Sequence, residues 1–160
     1  MLSSYTFAFS PPQYFWPQKD ISPSSINDSS LESKVLIASR DSEYKRALVE
    51  KITTAFTDEP VFVKCIGMKM LNRENTSAYK AIIVLNTCLG WDWDRHVHSF
   101  LRKKKDGSNV IVITTSATGD WQPKKNKAGV DAMAAASETD DLKKRAVDII
   151  RKVRLLLEKE

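Results

Sequence analysis

Cysteine and histidine are both scarce in this chain, two of each in 160 residues, and that scarcity removes whole classes of chemistry. Two thiols, Cys65 and Cys88, do not make a disulfide framework, and no C-x-x-C occurs. The histidines, His96 and His98, stand two apart. On a helix such residues point about 200° from each other, so they cannot share a metal ion. Asp92 with His96, or Asp94 with His98, has i, i+4 spacing but supplies only two ligands, and no metal site is expected. Cys88 and His96 could form a nucleophile–base pair, yet nothing supplies the group that would orient the base, so no catalytic residue is assigned. Glycine is also sparse, and G-x-G-x-x-G, G-x-S-x-G and the Walker phosphate loop are all absent.

Long apolar runs are missing too. None approaches the roughly 18 residues of a membrane span, so no membrane association is expected. The opening MLSSYTFAFSPPQYFWPQKD lacks the basic start and unbroken apolar stretch of a secretory signal, which points to a cytoplasmic location. The formal charge of +5 comes with basic clusters at 102–105, 124–127 and 143–154, which fall on separate elements. Phosphate-backbone affinity grows with the number of charges presented together, so nucleic acid is not an expected partner.

What is present divides into two parts, an irregular arm and linker over residues 1–32 and a regular domain over 33–160. The arm is rich in Ser, Pro, Asn and Asp, has no sustained period, and passes through the linker-like PSSINDSSLES. It also carries Tyr5, Phe7, Phe9, Tyr14, Phe15 and Trp16, too many aromatics for a purely solvating tail. Such an arm either docks on its own domain or offers a surface to a protein partner.

From Lys34 the pattern becomes regular. Val35–Ala38 reads as a buried strand. A helix capped by Asp41 or Ser42 follows, with its apolar stripe at Tyr44, Ala47, Leu48, Ile52 and Phe56. Pro60 ends it before a second strand at Val61–Ile66. Residues 67–79 suggest a short helix or a loop, and Ala81–Leu85 a third strand. A helix capped by Asp92 or Asp94 comes next, burying Trp93, Val97, Phe100 and Leu101 and stopping at Gly107. Val110–Thr114 makes the fourth strand, 116–128 a polar loop and Val130–Ala136 a fifth strand. Ser137 and Asp140 have capping-box spacing for a last helix with its stripe at Leu142, Ala146, Ile149, Ile150, Val153, Leu156 and Leu157. Strands alternating with helices imply a parallel sheet with right-handed crossovers.

The segments KVLIAS, YKAIIVLNTCLGWDWD, NVIVITTSATGDW and GVDAMAAAS together resemble the flavodoxin-like superfamily, across residues 34–158. The resemblance implies an α/β three-layer sandwich whose five-stranded parallel sheet has the order 2-1-3-4-5. In that order a strand separates Cys65 from Cys88, too far for a bridge. It also implies a ligand crevice where the loops 39–43, 86–94 and 115–128 converge. Flavodoxins stack a flavin ring between aromatics of the second and third loops, so Trp91 and Trp121 become candidate stacking residues; the alternative is that both simply cover the sheet. The implied FMN-binding set is Ser39, Ser42, Thr87, Trp91, Thr115 and Trp121.

The first loop departs from the family pattern. Flavodoxins wrap the FMN phosphate in a hydroxyl-rich turn containing glycine. Here the loop is Ser39-Arg40-Asp41-Ser42-Glu43, without glycine and with two carboxylates where a dianion should lie. A receiver domain shares the strand order, but the third strand ends in Asn86 and Thr87 rather than an acceptor Asp, and Ala134–Ala136 lacks the required Lys. Two functions stay open: a divergent domain with a flavin or small-molecule crevice, serving electron transfer, or a cofactor-free interaction module.

Overall fold

Strands covered on both sides must be apolar at successive positions, and four of the expected runs meet that demand. In a computed structural model they form the centre of one sheet. The structure describes residues 18–88, 92–116, 119, 129–136 and 142–159. In chain order the elements are β1 (Ser24–Ile26), β2 (Ser33–Ser39), α1 (Glu43–Ala55), β3 (Val61–Gly67), β4 (Ala81–Thr87), α2 (Arg95–Lys103), β5 (Val110–Ser116), β6 (Asp131–Ala136) and α3 (Leu142–Leu157).

The sheet order is β1-β3-β2-β4-β5-β6. The five strands β2 to β6 run parallel, in the order the resemblance implied. The sheet has six strands rather than five, because β1 pairs antiparallel with β3, Ser24 opposite Cys65 and Ile26 opposite Val63. Residues 18–26 of the segment read as arm and linker therefore run along the sheet edge. The misreading has a physical cause. An edge strand with one side in water needs little apolar character, and Ser24 and Ser25 are exposed while Ile26 alone leans on the core.

Side-chain alternation splits the core into two layers. Val35, Ile37, Ile83, Leu85, Ile111 and Ile113 face α1 and α3, which contribute Leu48, Ile52, Ile149 and Val153. Leu36, Ala38, Ile82, Val84 and Val112 face the other way, toward Trp93, Val97 and Phe100 of the α2 region. Among the described residues no full helix covers β3 on that second face. Two single 3₁₀ turns, Met68–Met70 and Thr76–Ala78, fill the span, with Met68, Leu71 and Tyr79 buried beneath them. Lys64 donates to both Glu74 carboxylate oxygens at 3.0 Å, and the Tyr79 hydroxyl donates to Glu74 Oε1 at 2.7 Å, which anchors this irregular stretch. The capping pair Ser137 and Asp140 lies outside the described residues.

The turn after β1 depends on Asn27, whose φ of 64° is a left-handed conformation. Its side-chain Nδ2 donates to the carbonyls of Phe56 (2.8 Å), Glu59 (3.1 Å) and Val61 (2.8 Å), satisfying the end of α1 and the approach to β3. Asn27→Ala removes these bonds and forces a Cβ-only residue into left-handed backbone, so a loss of about 2–4 kcal/mol in urea unfolding is expected. Asn27→Gly keeps the backbone freedom and should lose about 1 kcal/mol less. Equal losses for the two variants would show that the backbone conformation contributes nothing.

Candidate ligand crevice at the strand switch

The chain leaves β2 toward β3 on one side of the sheet and returns to β4 on the other. The carboxyl ends of β2 and β4 therefore diverge, and ligands of open parallel sheets lie in the crevice this creates. Helix α1 begins at its edge. Ser42 is the N-cap, and its Oγ accepts from Lys45 N at 3.2 Å. Of the two capping residues the sequence offered, Ser42 takes the role. Thr87 and Thr115 lie side by side in register at the ends of β4 and β5.

The expected phosphate-loop residues have mixed fates. Ser39 is fully buried, and its hydroxyl donates to Arg40 O at 2.7 Å. Thr115 is buried too, donating to Asn86 O at 3.2 Å. Ser42 is exposed at the loop, and Thr87 is half-buried at the end of β4. Trp91 and Trp121 lie outside the described residues. Trp93, expected to be buried with Val97 and Phe100, is 5% exposed and donates from Nε1 to Thr114 Oγ1 at 3.1 Å, so it belongs to the core.

Arg40, the one basic residue of the first loop, is already engaged. Its Nε and Nη2 donate to Asp94 Oδ2 at 2.9 and 2.6 Å, and its Nη1 donates to Asp20 Oδ1 at 2.6 Å and Gln18 O at 3.3 Å. Asp94 is also the N-cap of α2, accepting from His96 N at 2.8 Å, and its own N–H donates to Asn86 Oδ1 at 2.9 Å. Asp20 is held a second time by Lys69 N at 3.0 Å. It packs so closely on Gly67 that a Cβ there would lie 2.7 Å from the Asp20 side chain, which is why β3 ends in glycine. The acidic loop residues are less obstructive than the sequence suggested. Asp41 is bound by Arg46 and lies 3.7 Å from Lys19, and Glu43 is exposed.

The residue missed from sequence is Lys45. It is 2% exposed, with its stem under the first turn of α1, and its Nζ donates to Thr87 Oγ1. Among the described residues no carboxylate lies within ion-pair distance of it, and its other two N–H groups have no acceptor. Burial, and secondarily the Arg40 guanidinium, bring its pKa down to about 8, while Asp94 pulls the other way. The signal was there to find: Lys45 stands three before Leu48 and seven before Ile52, on the apolar stripe.

The histidines behave otherwise than either i, i+4 pairing. His98 Nε2 meets Asp92 Oδ1 at 2.8 Å, and the His98 ring stands tilted against Trp93 at 5.8 Å. Burial holds the His96 pKa below its ordinary value. Among the described residues no three His, Cys, Asp or Glu side chains cluster as metal ligands. Cys65 lies in β3, and β2 intervenes between it and β4, the strand that leads to Cys88. Burial raises the Cys65 thiol pKa, which suits a small core residue rather than a nucleophile. No helix among the described residues is long and apolar enough to cross a membrane.

No family model matches the sequence, and no curated protein matches it in sequence. Solved structures do match. An oxidoreductase from Corynebacterium diphtheriae superposes with a TM-score of 0.54 at 14% identity, over 80% of this chain and 96% of the other. Oxidised flavodoxin 2 from Bacillus cereus gives 0.51 at 14% identity, over 77% and 98%. The lysine decarboxylase of Francisella novicida gives 0.50 at 9% identity, over 80% of this chain but only 18% of the much longer enzyme. With five parallel strands in this order and helices on both faces, the chain has the flavodoxin-like fold.

Proposed function

We propose that the domain binds an anionic small molecule at the carboxyl ends of β2, β4 and β5, with FMN as the first candidate ligand and electron transfer as the role. One observation carries this reading: a buried ammonium at the strand switch whose N–H groups are only partly used among the described residues. A phosphate wrapped purely by backbone needs a concave turn with left-handed residues. Among the described residues none between Ser39 and Glu43 has positive φ, so that wrap is not built. Lys45 supplies charge in its place, Thr87 and Ser42 supply hydroxyls, and the N-terminus of α1 adds its partial positive end. Trp91 and Trp121 are proposed for the flavin ring, and a bound flavin would supply the redox chemistry. The cofactor-free interaction module is the reading that replaces this one if no anion binds.

Titrating the protein with FMN and with riboflavin, which lacks the phosphate, tests the assignment by fluorescence quenching. FMN should bind at least about tenfold more tightly, a difference of about 1.4 kcal/mol, and Lys45→Met should erase the preference. The preference should also fade as pH rises through about 8, where Lys45 loses its proton. Absence of quenching by either compound would refute the flavin assignment and leave the interaction module.

The same lysine has a stability signature independent of any ligand. Its folded pKa of about 8 lies below the ordinary 10.5, so the folded state binds fewer protons between those values. Below pH 8 the full cost of burying the charge is present, and it is relieved as pH rises toward 10.5. Lys45→Met should therefore raise Tm by roughly 5 °C near neutrality, with the gain shrinking as pH approaches 10.5. A lower Tm at neutral pH would mean that the ammonium is net stabilising.

A further inference from the structure

Residues 1–17 contain no charged side chain but six aromatics, and the first charges of the chain are Lys19 and Asp20. An uncharged aromatic stretch gains most by covering an apolar surface. A partly apolar surface lies where the described chain begins. An open groove of about 570 Å³ runs between α1 and residues 19–26, with Ile21, Pro23, Ile26 and Val49 as its apolar wall and polar or charged residues, Asp41, Arg46 and Glu50 among them, over the rest. Ile21, Ile26 and Val49 are only partly buried and pack against the α1/α3 core layer, so any apolar occupant would extend that core.

The point of departure is rigid. Asp41 N donates to Lys19 O at 2.7 Å, Ile21 N donates to Ser39 O at 3.4 Å, Arg40 holds Gln18 O, and Asp20 bridges to Arg40. Lys19, itself a groove residue, thus holds the end of the arm at the rim. Seventeen residues can extend on the order of 55 Å, so reach is no obstacle. Tethering this close gives an effective concentration on the order of millimolar, so even a millimolar contact is substantially occupied. Pro11, Pro12 and Pro17 favour extended backbone and lower the entropy lost on docking.

We propose that the groove between α1 and the β1 edge is the docking site of the chain's own aromatic arm, residues 5–16. This proposal stands independently of the ligand crevice. The arm works as an intramolecular strap over α1, and its aromatics complete the core layer that Ile21, Ile26 and Val49 leave open.

Limited chymotrypsin digestion of the full chain, with cleavage after Phe9, Tyr14 and Phe15 followed by mass spectrometry, tests it. Val49→Glu places a charge on the groove wall and Thr53→Trp fills the groove; each should speed arm cleavage, by about twofold for a millimolar contact and by more for a tighter one, since cleavage tracks the undocked fraction. Val147→Glu, at an exposed site on α3, should leave the rate unchanged. Circular dichroism confirms that each variant is folded. Equal arm cleavage in the wild type and both groove variants would overturn the proposal. So would protection that grows with protein concentration, which would assign the groove to a second copy.

Discussion

The Arg40 guanidinium, buried between Asp94 and Asp20, is the interaction on which the upper end of the molecule depends. One planar cation joins three separate pieces of chain: the end of β2, the cap of α2 and the segment that leads into β1. Side chains of Arg40 and Asp94 are 6% and 3% exposed, so neither charge could be left alone without a large desolvation cost. Removing one partner of such a set costs about 3–5 kcal/mol, mostly through the charges stranded behind it. Asp20 could not come so near unless β3 ended without a side chain, and Gly67 meets that condition.

Arg40 is spent on this structural task, with all three of its guanidinium nitrogens engaged. Its two carboxylate partners are likewise held, which leaves Lys45 with a hydroxyl rather than a carboxylate against its ammonium. The four charges Arg40, Lys45, Asp20 and Asp94 balance as a group, yet the ion pairing is uneven. Guanidinium geometry favours both carboxylates through several N–H groups, whereas an ammonium is a point charge on a flexible stem. The result is a buried cation, Lys45, at the end of β4 with a single hydroxyl partner among the described residues. Flavodoxins meet a phosphate with backbone wrapped around it. In this chain the loop from Ser39 to Glu43 is held by the N-cap, by the pairing of Asp41 with Lys19 and by the ion pairs of Asp41.

The other end of β1 is maintained by different means. β1 is short and half in water, and Asn27 closes it with three hydrogen bonds to carbonyls of the α1–β3 connection. Amide hydrogen bonds of this kind hold a polar segment without apolar burial. The edge strand can thus remain serine-rich and still cap the sheet, and it leaves the neighbouring groove open beside α1.

Hydrophobic periodicity by itself determined the five strands and the faces of α1 and α3, capping residues placed the helix starts near Ser42 and Asp94, and the strand order came from the family resemblance. Those properties follow from local repetition of apolar residues and short-range capping, which a linear chain displays openly. Tertiary structure alone decided what the polar residues do. Arg40 meets Asp94 across 54 positions and Asp20 across 20, Asn27 meets Phe56 across 29, and Ser24 finds Cys65 across a sheet edge. No period announces such pairings, because each is set by where folded elements bring two polar groups together out of water. Lys45 belongs to both categories. Its place on the apolar stripe of α1 was readable, whereas its isolation from any carboxylate existed only once Arg40 had taken both.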